Sequence, residues 1–322
     1  MVNASRRSVL VLGGTGFVGR SLLSHLSESD NKVTIFSRTP HLGANTEGVD
    51  CAYGDIRSGI TLAPVFDVII HAATAASADL NSNSPLDMFL TCVEGMQSVV
   101  RFCEKHKTPP VLLFTSSGGI YGDLPSAQES FPENDRLSAP SYSVGSAYAE
   151  GKRAAEFILA EAGARGVCDA RLARLFAFSG IHLPIDRHFA IGNFIRDAVN
   201  QQHIVINGDG SAIRSYLDQA DMAEWLLATI DKGNSHSTYH VGSERAISIH
   251  ELADLVASRY KLLTEIECSF EVKRRSSPLD GVSRYVPSTK LTRAELQVSE
   301  KVKLEISIDR MLQHHMNRLG SK

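Results

Sequence analysis

The chain lacks what would mark it for a membrane, a nucleic acid or a disulfide scaffold. Its 322 residues carry 33 Lys and Arg against 36 Asp and Glu, a formal net charge of −3, so no field of one sign draws it to phosphate polymers or anionic lipid. Five cysteines, at 51, 92, 103, 168 and 268, show no C-x-x-C pairing, which argues against a disulfide framework or a zinc site and predicts reduced thiols. The 12 histidines lack H-E-x-x-H or comparable spacing, and His314-His315 falls on a late amphipathic helix, so no metal is expected. Met1 to Arg7 is followed by a short apolar strand and then glycines, too little for a secretion signal or a membrane span. Repeats, low-complexity tracts and long linkers are missing as well. The expectation is a cytoplasmic enzyme, 43% hydrophobic, whose partner has to be argued from sites.

What is present begins with Gly13-Gly14-Thr15-Gly16-Phe17-Val18-Gly19. Ser8 to Leu12 reads as a buried parallel strand and Arg20 to Leu26 opens a helix with apolar spacing, so the glycines fall where backbone N–H groups meet a helix N-terminus. Phosphate is attracted there by unpaired donors and by the helix dipole. An ordinary strand-to-helix turn is the plainer alternative. Strands near 8–12, 32–37, 49–53, 66–71, 111–116 and 169–176 alternate with helical patterns, which predicts an α/β fold with a parallel sheet covered on both faces. After Gly180 the alternation breaks. Helices are expected over 189–200, 248–260 and 289–296, and short strands within 203–210 and 266–272. The expected division is a Rossmann-type doubly wound domain over 1–180, with later segments returning to it, and a smaller α/β substrate lobe over 181–322.

Tyr148 and Lys152 stand four apart on one helix face, so the ammonium is expected close to the phenol, favouring its ionised form. The phenol then becomes a usable acid or base. Val111 to Ser117 reads as a buried strand ending in hydroxyls, followed by Gly118-Gly119-Ile120-Tyr121-Gly122. Strand carboxyl ends are where doubly wound sheets place their ligands.

With these motifs in order, the chain resembles an extended short-chain dehydrogenase/reductase of the NAD-dependent epimerase/dehydratase family, whose members act on nucleotide-diphosphate sugars. The resemblance covers nearly the whole length. It implies a dinucleotide on Gly13, Gly16, Phe17, Val18 and Gly19, adenine against Asp55 and Ile56, and further cofactor contacts from His71, Ala72 and Ala73. Ser117 resembles the catalytic Ser/Thr, and Tyr148 and Lys152 the catalytic pair that also touches the cofactor. Alone, Asp55 could be a helix cap, His71 a satisfied turn residue and Ser117 a hydroxyl bonded to its own backbone. Gly208 to Tyr216 resembles a Gly-x-Gly-x-x-Arg-Asp-Tyr segment, which assigns the sugar-nucleotide diphosphate to Arg214. A second phosphate-binding arginine falls on Arg275, favoured over Arg274 by position, and Asn193 either touches substrate or is a helix-face asparagine. The family also implies a homodimer through the Tyr-Lys helix, with Ala147, Ala154, Ala155 and Ala160 permitting close contact.

Departures from the family pattern narrow the expected reaction. Family 4,6-dehydratases carry Asp-Glu where this chain has Gly118-Gly119, so 4,6-dehydration is expected to be excluded. Neither the Glu of nucleotide-sugar acid decarboxylases nor the Cys of the fucose-synthase branch stands at Gly119. The remaining Ser/Tyr/Lys set implies hydride transfer at a carbinol or ketone. NAD-preferring members place a carboxylate 21 residues after the middle glycine, and here that position is Ser37, followed by Arg38, which favours NADP(H) over NAD(H). Cys92 and Ala177 replace two frequent Asn residues, and His182 and His188 are candidate auxiliary acids. The expectation is an NADP(H)-dependent reductase of a nucleotide-diphosphate keto-sugar at C4. A 4-epimerase with tightly bound NAD and a non-catalytic dinucleotide-binding sensor are the alternatives.

Overall fold

In a computed structural model of the chain the described residues are 6–27, 30–39, 48–74, 78–125, 128–133, 143–186, 189–274 and 282–320. Strands β1 (Ser8–Leu12), β2 (Lys32–Ser37), β3 (Val49–Tyr53), β4 (Val68–His71), β5 (Val111–Ser117) and β6 (Asp169–Leu175) pair in parallel. Helices α1 (Phe17–Leu26), α2 (Ala78–Asn83), α3 (Pro85–Cys103) and α4 (Ala147–Ala164) connect them.

β1, β4 and most of β5 are apolar on both sides because both sheet faces are covered, whereas inner strand β6 carries Arg171 and Arg174. Val9 and Val11 face one way, onto Leu22 and Leu26 of α1 and Trp225 of a later helix. Leu10 and Leu12 face the other, onto Met96 and Phe102 of α3 and Leu159 of α4. Leu10 and Leu12 are at 0% exposure, and full burial of such a side chain contributes about 2 kcal/mol. β4 begins at Val68, two residues later than its sequence pattern suggests, and Asp67 just before it accepts the Ser8 N–H on its carboxylate at 2.8 Å.

The second half is built from β7 (Phe178–Ser179), α5 (Ala190–Val199), β8 (Ile204–Ile206), β9 (Ile213–Arg214), β10 (Leu217–Asp218) and α6 (Gln219–Lys232). β11 (Thr238–Val241), β12 (Ile247–Ser248), α7 (Ile249–Thr264), β13 (Phe270–Val272), β14 (Arg284–Tyr285), α8 (Lys290–Leu296) and α9 (Leu304–Gly320) follow. β11 joins the main sheet beside β6, giving the order β11-β6-β5-β4-β1-β2-β3. Helices α5, α7 and α9 share a separate core through Ile195, Val256 and Ile308. There β9 pairs antiparallel with β12 and parallel with β14, while β8 pairs with β13. α7 opens on a capping box, Ser248 with Glu251, and runs to Thr264, a turn past the sequence expectation, so β13 starts only at Phe270. Among the described residues no helix is long and apolar enough to cross a membrane.

The strand order reverses direction between β1 and β4, and the crevice at their carboxyl ends is where a doubly wound sheet holds its ligand.

Candidate active site

The crevice is lined by backbone that has room only for glycine. Gly13 sits at φ +86, and a Cβ there would come within 2.6 Å of the Ala72 carbonyl oxygen. One at Gly19 would stand 2.4 Å from the Gly13 carbonyl oxygen, so α1 packs on the turn through hydrogen alone. Gly16 caps α1 with no side-chain hydrogen bond, which leaves the first helical N–H groups to a ligand. This cradle fits a pyrophosphate. Beside it opens a cavity lined by Gly13, Ser37, Arg38, Asp55, Ile56 and Ala73, of a form that suits an adenosine.

The other expected cofactor residues divide. Asp55 uses one carboxylate oxygen to cap the turn at Ile56–Ser58, accepting the Arg57 N–H at 2.9 Å, and still lines the cavity. Ser37 donates its hydroxyl to the Thr39 carbonyl at 2.8 Å, so its proton is already committed, while exposed Arg38 keeps a free approach to the cavity. His71 is 1% exposed and packs on Phe114; burial, with the Lys152 charge adding, pushes it down to about 3, so the ring is neutral. It supports the turn from beneath, where the Ala73 N–H donates to Nδ1 at 3.4 Å.

Ser117 ends β5, and strand alternation turns its neighbour Ser116 to the opposite side, where it donates to the Glu156 carboxylate at 2.5 Å. Arg174 clamps that carboxylate from β6. Ser117 Oγ accepts the Gly119 N–H at 3.0 Å, and the Tyr148 ring stands beside it: a Cβ at Gly119 would be 3.2 Å from that oxygen and 3.9 Å from the ring. Lys152, one turn along α4, is 3% exposed and donates to the Thr115 carbonyl at 2.8 Å. These three side chains converge at the carboxyl end of β5.

The expected electrostatics of the pair need correction. The Lys152 ammonium lies 5.8 Å from the Tyr148 ring centre and closer, 4.7 Å, to Phe114, and its hydrogen bond goes to backbone. Burial pushes the phenol above its ordinary value, with only the Ser117 hydroxyl pulling it down. Lys152 itself is lowered to about 8 by burial, with Cys92 and Glu156 opposing. Desolvation outweighs attraction because the cation is held behind the phenol rather than at its oxygen.

Two residues of this site had no signal in the sequence. Asn81 of α2 accepts the Tyr148 N–H at 2.9 Å and donates to the Gly145 carbonyl at 3.0 Å, fixing the first turn of α4. Tyr285 of β14 stands against the same turn: a Cβ at Gly118 would be 2.8 Å from its phenol oxygen, which donates to the Leu175 carbonyl at 3.4 Å. Neither stands in a motif, and both arrive through tertiary contact. Cys92 packs against α4 where a Cβ at Gly151 would be 3.0 Å from its own Cβ, so its role is helix contact.

On the substrate side, Arg214 is held on β9 by bonds to the Ile213 and Ser283 carbonyls at 2.8 and 3.1 Å. Asn193 instead accepts from Arg196 at 3.1 Å, which favours the helix-face reading. Arg275 and His188 lie outside the described residues. His182 lines a groove with Thr15, Gly16, Phe17, Arg20, Arg196 and His314. Ala155 is 0% exposed within its own core, so it cannot serve a partner helix; Phe157 on α4 is the exposed apolar residue there, at 72%.

Comparison with known proteins follows the same line. The model of the family described as NAD dependent epimerase/dehydratase matches residues 9–242. UDP-glucuronic acid decarboxylase 5 of Arabidopsis thaliana is 26% identical over 98% of this chain and 91% of its own length. A UDP-glucose 4-epimerase from Thermotoga maritima, solved with UDP-glucose, superposes with a TM-score of 0.81 at 19% identity, covering 97% of this chain and 99% of that one. An NAD-dependent NDP-hexosamine 5,6-dehydratase of tunicamycin biosynthesis superposes with a TM-score of 0.80 at 19% identity, over 97% and 98%. These findings overturn the exclusion drawn from Gly118-Gly119. Decarboxylases are among the relatives and a dehydratase shares the fold, so two missing side chains do not remove dehydration from the reactions open to the chain.

Proposed function

The chain belongs to the NAD-dependent epimerase/dehydratase family, and from that membership and the site we propose that it modifies a nucleotide-diphosphate sugar by NADP(H)-linked reduction of a keto group at C4. The observation that carries this is the gathering of Ser117 Oγ and the Tyr148 ring beside Gly119, with Lys152 buried one turn along α4, at the carboxyl end of β5. The absence of a carboxylate at Ser37, with Arg38 at the rim of the adenosine cavity, supports the choice of NADP(H).

In this reading Gly13, Gly16, Phe17, Val18 and Gly19 hold the pyrophosphate, Ser37, Arg38, Asp55 and Ile56 the adenosine, and the turn at His71, Ala72 and Ala73 borders the dinucleotide. The nicotinamide, when bound, supplies the hydride. Ser117 donates a hydrogen bond to the carbonyl oxygen, and Tyr148 transfers its proton to that oxygen. Lys152, cationic at neutral pH, holds the cofactor ribose and offsets charge on the phenolate as the proton leaves. Arg214 pairs with the diphosphate, and Arg275 is the second arginine proposed there. Two copies associate through α4 around Phe157, in the cytoplasm.

A second reading is a 4-epimerase that retains NAD, favoured by the likeness in fold to the UDP-glucose 4-epimerase over nearly the whole chain. Mixing the purified protein with NADPH or NADH and a panel of 4-keto-6-deoxy and ordinary nucleotide sugars separates the two. Stoichiometric loss of reduced cofactor with a 4-hydroxy product supports the reductase. Interconversion of sugars with retained cofactor supports the epimerase, and neither outcome on any sugar removes both.

A further inference from the structure

Ser116 of β5, Arg174 of β6 and His240 of β11 stand side by side in register, a polar row across three strands on the face that elsewhere buries Leu112 and Phe114. Glu156 of α4 sits over this row. One of its carboxylate oxygens accepts the Ser116 hydroxyl at 2.5 Å and Arg174 Nε at 3.1 Å, and the other accepts Arg174 Nη2 at 2.7 Å. Arg174 also donates to the Tyr121 phenol at 2.6 Å, the phenol meets His240 Nε2 at 2.6 Å, and His240 Nδ1 meets the Ser288 carbonyl at 2.9 Å. A carbonyl can only accept, so Nδ1 carries the proton and Nε2 accepts from Tyr121. Burial pushes His240 down to about 3, which leaves its ring neutral, and within this cluster the charge of Arg174 is answered by Glu156.

The cluster reaches the candidate active site through two consecutive residues of β5. Lys152 donates to the Thr115 carbonyl at 2.8 Å and Ser116 donates to Glu156, so an ammonium and a carboxylate four apart on α4 are fastened to adjacent positions of one strand. Among the described residues the other titratable groups around Lys152 are Tyr148 on its own helix, Cys92 of α3 and His71 of β4. Burial leaves all three uncharged at neutral pH, since it raises the phenol and the thiol and lowers the imidazole. Burial also lowers Lys152, with Cys92 and Glu156 opposing, and of these two Glu156 is the one that carries charge.

We propose that Glu156 is a positioning residue for the reaction: gripped by Ser116 and Arg174, its carboxylate is the fixed counter-charge that keeps Lys152 an ammonium at neutral pH. This rests on the reading of Lys152 as the cation that serves ribose and phenolate. Glu156 touches neither ligand and acts through Lys152 alone.

Protein labelled with carbon-13 at the lysine ε position has one resonance that Lys152→Arg removes, and its titration reads the charge of Lys152 without sugar or cofactor. Glu156→Gln keeps the shape and loses the charge, so the midpoint should fall from about 8 by about one unit. Glu156→Asp keeps the charge and disturbs the packing more, so its midpoint should stay nearer the wild-type value than that of Glu156→Gln. An unmoved midpoint in Glu156→Gln, or a larger displacement in Glu156→Asp, overturns the proposal whatever the enzyme acts on. Should Glu156→Gln fail to fold, the double variant Glu156→Gln/Arg174→Gln leaves no unpaired charge; its midpoint should fall as well, by less, and an unmoved one overturns the proposal. With the sugar found active in the panel, a one-unit fall costs Glu156→Gln about five-fold in kcat at pH 8 and less than two-fold at pH 6, with the KM for sugar within about two-fold. Equal losses at both pH values assign Glu156 to packing and overturn the proposal. No turnover by wild type on any sugar, with the midpoints displaced as expected, fails the functional reading and leaves the counter-charge standing.

Discussion

At the scale of single residues, the chemistry rests on groups whose charge is set by burial rather than by each other. Tyr148 is a protonated phenol in the cofactor-free protein, raised by desolvation, so it is ready as an acid. Replacing it by Phe should lower turnover by at least ~10²-fold while leaving dinucleotide affinity within a factor of two, read by cofactor oxidation and by calorimetry. Undiminished turnover would remove the proposed acid. Lys152 titrates at about 8, below its ordinary value because its cation is buried. The sign follows directly: below that pH the ammonium is present to hold ribose and phenolate, and above it the charge is lost. Wild-type kcat should therefore decline as pH rises through about 8, and Lys152→Arg, whose guanidinium stays charged, should abolish that limb even at reduced activity. A profile flat to pH ~10 would show that the charge of Lys152 is not required. That the two share one helix face was legible from their spacing of four, while their proposed roles came only with the family resemblance. The direction of their pKa shifts was not legible, because desolvation depends on the atoms around a group and not on its neighbours in sequence.

At the scale of elements, helices are held where the chemistry needs them by contacts that no local pattern announces. The first turn of α4, which carries Tyr148, is tied to α2 by the two hydrogen bonds of Asn81. Asn81→Ala removes a side-chain partner of a helix N-terminus, which typically costs ~1 kcal/mol, and for a chain of this size lowers the melting temperature by about 2–4 °C. Turnover should fall by more than stability alone explains, because the phenol loses its anchor; a variant with full kcat would show that α4 is positioned without it. At the other end of the site, α1 lies on the glycine turn so closely that Gly19→Ala would force a methyl to 2.4 Å of backbone. Overpacking of that kind costs ~1–3 kcal/mol and shifts the donors of the pyrophosphate site, so dinucleotide affinity should drop along with stability. Strand positions were readable because buried parallel strands are continuous apolar runs. Asn81 and Tyr285 were not, because neither lies in a motif, and Tyr285 comes from a strand of two residues far along the chain.

At the scale of the whole molecule, one half supplies a crevice and the other brings side chains to its edge. Arg214 is presented on β9, held from behind by two carbonyls. Arg214→Ala should raise the KM for the nucleotide sugar by about 10- to 100-fold, the range of a charge-assisted hydrogen bond, with cofactor affinity unchanged. Equal loss for both ligands would place Arg214 in folding rather than in substrate binding. The amino-acid order determined the alternation of strands and helices, the glycine turn at the head of α1, and the helix face shared by Tyr148 and Lys152. Each follows from periods of two or 3.6 residues and from the steric freedom of glycine, which are properties of short stretches. Tertiary structure alone decided that β11 joins the sheet beside β6, that Ala155 belongs to the core, and that Phe176 and Tyr285 stand against Gly118. These are matters of which distant surfaces pack together, and packing is settled by the volume and desolvation of the assembled molecule.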